Sequence, residues 1–320
     1  MRVSRRFSGL GQVNAVARER ERLAGLRTLD CPWHYLEADG WCADPQAIDR
    51  AAQGGARLFV LVSPGNPTGA HVDAATARQV GELGRRHGAA IIVDEVFAPF
   101  TLEDKPAFRP GPPGPAPGPA REHAPGPASE RAPEPDQAVT FTFNGLSKLL
   151  CAPQLKLGWI RLAGPAQSTR PVRAALDQIA DTFLSVNTPT ALALPELLGL
   201  AEQTVAHTNA RLAANLATAK SVFGQAPYRL RRCGGGWSAI IDLPREPAGP
   251  GPGPRDQDQD QADPAVWLLR HAHLAVHPGW FYDIGDRPCL VVSLLPESET
   301  FARNCRRLRD ALETRRSGQA

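Results

Sequence analysis

Lysine is rare in this protein, and its few positions indicate where an amine is needed. Of the 36 basic residues only four are lysines, namely Lys105, Lys148, Lys156 and Lys220. A lysine amine can lose its proton and attack a carbonyl carbon to form a Schiff base, whereas the guanidinium of arginine cannot. Lys148 follows Ser147 just beyond an apolar stretch, so we predict a nucleophilic lysine at the end of a strand. The alternative is an exposed lysine that has been retained by chance.

Two other polar clusters also follow apolar segments. Residues 63–69 read Ser-Pro-Gly-Asn-Pro-Thr-Gly after the apolar run 58–62, and Asn66 offers an amide on this loop. A simple turn is the alternative interpretation of the Asn-Pro pair. Asp94 follows the apolar run 90–93. All three clusters therefore lie at the carboxyl ends of predicted strands, where open α/β sheets bind their ligands.

Asp94 and Lys156 carry charges for which we predict partners. A carboxylate at the end of a buried strand is costly without a cation nearby. An arginine could supply that cation, and so could a pyridinium nitrogen, which would keep Asp94 ionised and make the ring an electron sink. Lys156 lies in the run Pro-Gln-Leu-Lys-Leu-Gly-Trp, where its charge could bind a phosphate.

Strand-like and helical segments alternate along the chain. We predict strands at 58–62, 90–93, 139–143 and 157–162. A helix capped by Asp73 and ended by Gly88 lies between the first two. Continuous apolar strands joined by helices indicate an α/β fold with a mostly parallel sheet.

The rest of the chain has a different pattern. Residues 187–223 are largely helical, and after them come strands at 237–243 and 289–294 and two helices. This tail is typical of a smaller α+β domain. We therefore predict a large domain over residues 1–200 and a small one over residues 201–320.

Two segments read as surface inserts within these domains. Residues 105–136 hold eleven of the 31 prolines, and residues 245–264 are rich in Gly-Pro repeats, Asp and Gln. Such compositions cannot form a packed core, so we predict disordered or polyproline-like loops. Long loops of this kind add little closure entropy to a fold.

Composition excludes several classes of protein. The hydrophobic fraction of 42% and charged fraction of 22% are those of a globular protein, and the net charge of +3 gives no nucleic-acid footprint. No apolar run could span a bilayer and no signal peptide is recognisable, so we expect a cytoplasmic protein. The six cysteines are scattered, and the histidines at 271, 273 and 277 lack supporting ligands, so we predict no metal site.

In their order and spacing these motifs resemble the class I/II aminotransferases, which are pyridoxal-phosphate enzymes of fold type I. The resemblance rests on the Asn-Pro-Thr-Gly loop, the Asp-Glu strand end, and Ser-Lys followed by a basic residue and Gly-Trp. It continues in Gly-Gly-Gly-Trp at 234–237 and His-Pro-Gly-Trp-Phe at 277–281. It covers nearly the whole chain from about residue 23 and implies the fold-type I α/β architecture with helices on both faces of the sheet.

The resemblance also implies a role for each matching residue. Lys148 matches the lysine that forms the Schiff base with pyridoxal 5'-phosphate and shuttles a proton between the substrate and the cofactor. Asp94 matches the carboxylate on the pyridine nitrogen, and Asn66 the amide on the ring oxygen. Lys156 stands where the family usually has an arginine on the phosphate.

The chain departs from the family pattern in places that bear on the cofactor. The phosphate-cradling loop and the aromatic residue that stacks on the ring, which in the family precede the matching region, are not visible. Phe97 stands where many members have a tyrosine that contacts the ring oxygen. Gly145 replaces a serine that contacts the phosphate, and Asn144 or Ser147 could substitute for it.

The substrate side departs as well. Members that bind a substrate carboxylate use an arginine in the last strands, whereas the best match here is Val291, and Arg287 is out of register. The sequence therefore predicts no particular amino acid as substrate.

Three functions remain open at this stage. We favour an aminotransferase that moves an amino group from an amino acid to a 2-oxo acid, working as a homodimer without nucleic-acid or membrane partners. The second hypothesis is a truncated, catalytically impaired relative of the same fold. The third is a decarboxylase or carbon–sulfur lyase, because a fold does not fix the reaction.

Overall fold

The structure is a computed structural model and describes residues 6–10, 27–103, 138–183, 185–244, 263–285 and 287–318. The proline-rich segment predicted at 105–136 lies outside the described residues. So does the predicted loop at 245–264, apart from its last two residues. Pro264 already belongs to a helix, which Asp263 caps.

The strands of the described residues have the following bounds: β1 (Arg6–Leu10), β2 (Arg27–Cys31), β3 (Trp33–Leu36), β4 (Gly40–Ala43), β5 (Leu58–Val62), β6 (Ala90–Asp94), β7 (Thr140–Gly145), β8 (Gly158–Ala163), β9 (Arg229–Leu230), β10 (Ser238–Asp242), β11 (His277–Pro278) and β12 (Cys289–Ser293). The helices are α1 (Pro45–Gln53), α2 (Ala74–His87), α3 (Leu146–Leu149), α4 (Ala166–Thr182), α5 (Thr188–Leu192), α6 (Leu194–Gly199), α7 (Ala201–Phe223), α8 (Pro264–Ala272) and α9 (Ser298–Ser317).

The central sheet has six strands in the order β2-β1-β5-β6-β7-β8. All neighbouring pairs are parallel except β7 and β8, which run antiparallel. The central strands β5 and β6 are apolar, and the side chains on one of their faces, Phe59, Leu61, Ile91 and Val93, are buried. The predicted mostly parallel sheet is therefore confirmed, and it aligns the carboxyl ends of β5, β6 and β7 at one edge.

The helix between β5 and β6 begins and ends where the sequence predicts. The Asp73 carboxylate accepts a hydrogen bond from the N–H of Thr76, and Gly88 ends α2 in the left-handed conformation at φ +60°. A side-chain acceptor and a left-handed glycine satisfy groups that the helix leaves open at its two ends. The buried face of α2 packs with α1 and the sheet around Phe59, Val80 and Ile91, which fixes the connection between two strands of the site.

The C-terminal part carries a second, antiparallel sheet in the order β11-β12-β10-β9. Helices α7, α8 and α9 cover one face of it, with Leu212, Leu268 and Leu308 in a shared apolar cluster. Phe97 and Phe100, which follow β6, belong to the same cluster. The segment after β6 thus connects the two sheets. The predicted boundary at residue 200 coincides with the start of α7 and stays a prediction.

The hairpin of β3 and β4 is held against the C-terminal sheet by a buried arginine. The guanidinium of Arg231 lies 5.1 Å from the ring centroid of Tyr35 and 5.2 Å from that of Trp41. Its Nε donates to the Asp242 carboxylate at 2.7 Å, and Arg229 donates to the other oxygen of this carboxylate at 2.8 Å. Removing either member of the buried ion pair between Arg231 and Asp242 would leave an uncompensated charge, so the pair is retained in the folded state. Through the rings on Arg231, the hairpin is anchored to β9 and β10.

Within the parts of the chain that are described, no helix combines the length and the apolar character needed to cross a membrane. The same residues contain no group of three metal-ligating side chains. Of the histidines considered above, His271 stacks on Trp267 and His277 shares a hydrogen bond with Tyr282.

Candidate active site

The backbone brings the three predicted polar clusters to one edge of the central sheet. The N–H of Ser63, at the start of the Asn-Pro loop, donates to the carbonyl oxygen of Asp94 at 3.0 Å. The N–H of Glu95 donates to the carbonyl oxygen of Phe143 at 3.0 Å, and Phe143 precedes the lysine-bearing helix. The loop after β5, the end of β6 and the end of β7 are thereby adjacent, as the parallel register predicts.

Lys148 lies in the single turn of α3, which begins directly after β7. Its side chain is half-buried, and Nζ lies 5.3 Å from the ring centroid of Phe97 and 5.2 Å from that of Trp237. An ammonium over an aromatic face is attracted by the ring quadrupole. The amine is therefore held at the carboxyl-end edge of the central sheet by two rings. Phe97 comes from the segment after β6, and Trp237 directly precedes β10 of the C-terminal sheet.

Asp94 is a partly buried carboxylate with few partners. Among the described residues its one hydrogen bond comes from the N–H of Val96 to Oδ1, at 3.0 Å. Burial raises the pKa of the Asp94 carboxyl above its ordinary value, although the Val96 N–H and the positive charge of Lys148 both lower it. A carboxylate whose pKa stays raised is one that is not fully compensated by charge.

The charge of the Asp94 carboxylate, which its present partners balance only in part, bears on whether pyridoxal phosphate would fit this site. A pyridinium nitrogen beside Asp94 would supply the cation that the carboxylate lacks, and the amine of Lys148 lies close enough for its charge to act on Asp94. A lysine amine near an aldehyde carbon can form a Schiff base with it. The residues present therefore fit the group: Asp94 would balance the charge of its ring nitrogen, and the amine of Lys148 would react with its aldehyde carbon.

Asn66 is exposed on a loop that the backbone makes rigid. The N–H of Gly65 donates to the carbonyl oxygen of Ala70 at 2.8 Å, and the N–H of Gly69 donates to that of Gly65 at 2.7 Å. Gly69 has φ +65°, and a Cβ built there would lie 2.6 Å from the carbonyl oxygen of Gly235. The amide of Asn66 is thus presented by a loop that is packed closely on the Gly-Gly-Gly-Trp segment.

We expect a Gly69→Ala substitution to destabilise the protein more than Gly88→Ala. Both residues have positive φ, but a Cβ at Gly88 meets nothing within 4 Å, whereas at Gly69 it meets Gly235 and Cys233. The Gly88 variant should cost about 1 kcal/mol of backbone strain. The Gly69 variant should lose more of the free energy of unfolding, as measured by urea denaturation, and should also bind pyridoxal phosphate more weakly. Equal losses of stability in the two variants would show that the close approach has no effect.

Lys156 lies at the end of the short turn Pro153–Leu155, with a left-handed backbone at φ 52°. Its side chain is exposed, and it makes no ion pair within the described part of the chain. A cation without an internal partner is available to a ligand. Its predicted contact with a phosphate stays a prediction.

The structure gives a physical reason for one departure from the family pattern. A Cβ at Gly145 would lie 2.8 Å from the carbonyl oxygen of Leu157, because β7 and β8 pair Gly145 with Gly158. A serine would therefore clash with this backbone. Oδ1 of Asn144 accepts from the N–H of Gly145 at 2.8 Å, and Nδ2, the group that could donate to a phosphate, donates to the carbonyl oxygen of Glu95 at 3.5 Å.

The position that matches the family's carboxylate-binding arginine is apolar and enclosed. Val291 is buried in a small cluster with Ile240, Ile284 and Cys289, against which Trp41 packs. Arg287 is exposed just before β12. None of the neighbours in this cluster is a basic residue, so a substrate carboxylate would find no cationic partner among them.

Trp237 is a residue of this site that sequence reasoning did not select. It stands in the Gly-Gly-Gly-Trp motif, which the sequence marks, but its contact with Lys148 requires the C-terminal sheet to meet the end of β6. Phe97 was noted for its missing hydroxyl, whereas its ring contact with the amine was not foreseen. A glycine-rich run that ends in an aromatic residue is the signal that could have indicated this position.

Most of the chain matches a known protein family. Residues 22–278 match the family model of aminotransferase class I and II. The glutamate-pyruvate aminotransferase AlaA of Escherichia coli K12 is 29% identical over 168 residues, which are 52% of this chain and 36% of that protein. The alanine aminotransferase of Mycobacterium tuberculosis H37Rv is 26% identical over 170 residues, 52% of this chain and 35% of that protein. The chain thus spans about a third of the length of these curated relatives.

Two solved structures have the same fold. The alanine aminotransferase of Pyrococcus furiosus has a TM-score of 0.74 at 18% identity and covers 98% of this chain, which in turn covers 71% of that one. A pyridoxal-phosphate-bound structure from Clostridium difficile 630 has a TM-score of 0.72 at 16% identity, covering 98% of this chain and 72% of its own. The predicted fold-type I architecture is therefore confirmed.

The chain belongs to the aminotransferase class I and II family. Members of this family use pyridoxal phosphate, so the predicted family and cofactor are both confirmed at this level.

Proposed function

We propose that this protein is a pyridoxal-phosphate-dependent aminotransferase that moves an amino group from an amino acid to a 2-oxo acid. One observation carries the proposal, namely the half-buried amine of Lys148 beside the incompletely compensated carboxylate of Asp94. We assign Lys148 as the catalytic residue. Asn66, Asp94, Lys148 and Lys156 are the residues proposed to hold the cofactor.

The chain's own groups supply two parts of the chemistry. Pyridoxal phosphate, when bound, supplies an aldehyde that condenses with amines and a ring that accepts electron density. The carboxylate of Asp94 would balance the charge of a cationic ring nitrogen and so favour the protonated form of that nitrogen. The amine of Lys148, once neutral, would take up at Nζ the proton from the carbon that bears the substrate's amino group and would then donate that proton to the cofactor. The rings of Phe97 and Trp237 limit where Nζ can lie.

The names of the relatives indicate which substrates to try first. AlaA is a glutamate-pyruvate aminotransferase, and the Mycobacterium tuberculosis protein is an alanine aminotransferase. We therefore propose alanine and glutamate as amino donors and the corresponding 2-oxo acids as acceptors. Because apolar side chains enclose Val291, we propose that the substrate carboxylate binds a partner other than the arginine of the family pattern.

The same observation at Val291 supports the second candidate, a decarboxylase or carbon–sulfur lyase. Without an arginine on that strand, the substrate carboxylate is not held in the family's usual way, and a bond other than that to hydrogen can be oriented for cleavage. The test incubates the cofactor-loaded protein with each donor and an oxo acid. Transfer of labelled nitrogen to the acceptor supports transamination. Release of carbon dioxide or sulfide supports the second candidate, and no reaction supports an impaired protein.

We also propose a cytoplasmic homodimer. Apolar side chains lie exposed on β8 and the helices after it, with Trp159 at 38%, Phe183 at 78% and Leu192 at 75% exposure. Exposed apolar surface of this extent is typical of an interaction site. Analytical ultracentrifugation of the protein should give the mass of two chains. The mass of one chain at all concentrations would contradict the proposal.

A further inference from the structure

The indole nitrogen of Trp237 is a buried donor that lies in the site without a partner. Among the described residues, its Nε1–H has no hydrogen-bond partner. Burying a donor without an acceptor costs free energy, and folded proteins rarely leave one unpaired. Trp33 and Trp41 also have an indole N–H without a partner among the described residues, but of these three rings it is that of Trp237 that contacts Lys148, where a bound molecule would be able to supply the acceptor.

The ring of Trp237 is fixed in place rather than free to turn. It packs edge-on against Phe97 at 5.3 Å and against Phe100 at 5.1 Å between ring centroids. The backbone on both sides of the ring is fixed as well. The carbonyl oxygen of Trp237 accepts from the N–H of Leu294 at 2.8 Å, and the N–H of Gly236 donates to the carbonyl oxygen of Phe100 at 2.8 Å. The backbone and both neighbouring rings thus hold the indole at the site.

The glycine segment before Trp237 is held equally firmly. The thiol of Cys233 donates to the carbonyl oxygens of Gly235 and Ser238 at 3.3 and 3.2 Å. Burial raises the pKa of this thiol to about 12, so it remains a donor. The Nε2–H of His71 donates to the carbonyl oxygen of Gly234 at 2.9 Å. A donor on so rigid a segment is preorganised for a ligand.

The surrounding side chains leave this donor a distinct role. Of the two rings that contact Lys148, that of Phe97 has no hydrogen-bonding atom, whereas the indole has one. Of these two rings, only the indole of Trp237 could therefore donate a hydrogen bond to an oxygen atom of a molecule bound at Lys148.

We propose that Trp237 is a further binding residue of the site, whose Nε1–H donates a hydrogen bond to an anionic oxygen of the molecule bound at Lys148. This oxygen is either the one attached to the pyridine ring of the cofactor or one of the two carboxylate oxygens of the amino acid. The inference rests on the proposed function, because it requires a cofactor at Lys148.

The test compares Trp237→Phe with Trp33→Phe in the full chain. Both substitutions keep an aromatic ring and remove a buried indole N–H that has no partner among the described residues, but Trp33 packs in the cluster beneath the central sheet. Cofactor affinity is measured by titrating pyridoxal phosphate and following its visible absorbance band. The pH midpoint of that band is a second readout.

If the acceptor is the ring oxygen, Trp237→Phe weakens cofactor binding about fivefold or more. It also raises the pH midpoint, because the oxygen anion loses a donor that stabilised it, and Trp33→Phe changes neither. If the acceptor is the substrate carboxylate, cofactor binding and midpoint are unchanged, while the amino-acid concentration for half-maximal change of the band rises by a similar factor.

A third measurement does not depend on how the variant folds. With isotope-labelled tryptophan in the unsubstituted chain, cofactor or amino acid should move the indole proton signal of Trp237 to lower field. Identical behaviour of both variants, with an unmoved Trp237 signal, would overturn the inference while leaving the proposed function intact. Absence of a visible band in the unsubstituted chain would overturn both.

Discussion

Replacing Lys148 by alanine is expected to remove the visible absorbance band that pyridoxal phosphate gives with this protein and to abolish amino-group transfer. The half-buried amine over Phe97 and Trp237 is the group we assign to both binding the aldehyde and moving the proton. Loss of a positioned acid–base group alone reduces a rate by a factor on the order of 10² to 10⁴. Loss of the attachment point adds to this, so turnover should fall by about 10³ or more.

Lys220→Ala is the matched control for this prediction. Lys220 is one of the four lysines, lies exposed in the last turn of α7 and has no place in the proposed site. Its substitution should leave both the band and the rate as they are. A band of equal strength in the Lys148 and Lys220 variants would show that another group reacts with the cofactor.

Replacing Asp94 by asparagine is expected to cost activity without costing stability. Asparagine keeps an oxygen that can accept from the N–H of Val96 but cannot balance a cationic ring nitrogen. We expect turnover to fall by about a hundredfold or more, as for other lost electrostatic contacts in active sites. The readouts are kcat with the best donor and the free energy of urea unfolding without cofactor.

The stability of the unloaded protein should depend on pH in a defined direction. Because burial raises the folded-state pKa of Asp94 above its unfolded value, the ionised carboxylate opposes folding at neutral pH. This cost disappears as the pH falls through the folded-state pKa and then through the ordinary aspartate pKa of 3.8. The Asp94→Asn protein should therefore be at least as stable as the unsubstituted chain at neutral pH, and this advantage should vanish in acid.

Asp73→Asn is a suitable comparison, since asparagine caps a helix about as well as aspartate and Asp73 lies at the exposed start of α2. Its activity should be unchanged. If the Asp94 variant were less stable than the unsubstituted protein at neutral pH while its activity was retained, Asp94 would be a structural carboxylate and not a cofactor partner.

Local signals in the sequence were sufficient where they determine an element by themselves. The apolar run 58–62 is the strand β5, and Asp73 and Gly88 delimit α2 as predicted. Strand β1 was not predicted, because its pairing with β2 and β5 depends on residues distant in sequence. Helix α4 was also missed. It buries no residue and contains Pro171, so no apolar face marked it.

The site shows the same division. The positions of Asn66, Asp94 and Lys148 follow from strand ends, which the sequence shows, and their adjacency follows from parallel register. The rings around Lys148 do not, because Trp237 reaches the amine only when the second sheet meets the segment after β6. The enclosure of Val291 likewise depends on Trp41 of the docked hairpin.

The most direct test of the central claim is to locate the cofactor on the chain. The protein is incubated with pyridoxal phosphate, reduced with borohydride so that an attached cofactor becomes a stable secondary amine, digested and examined by mass spectrometry. We predict the added mass on the peptide that contains Lys148 and on no peptide that contains only Lys105, Lys156 or Lys220. Labelling spread over the other lysines, or no labelling, would contradict the assignment of Lys148 as the residue that carries the cofactor.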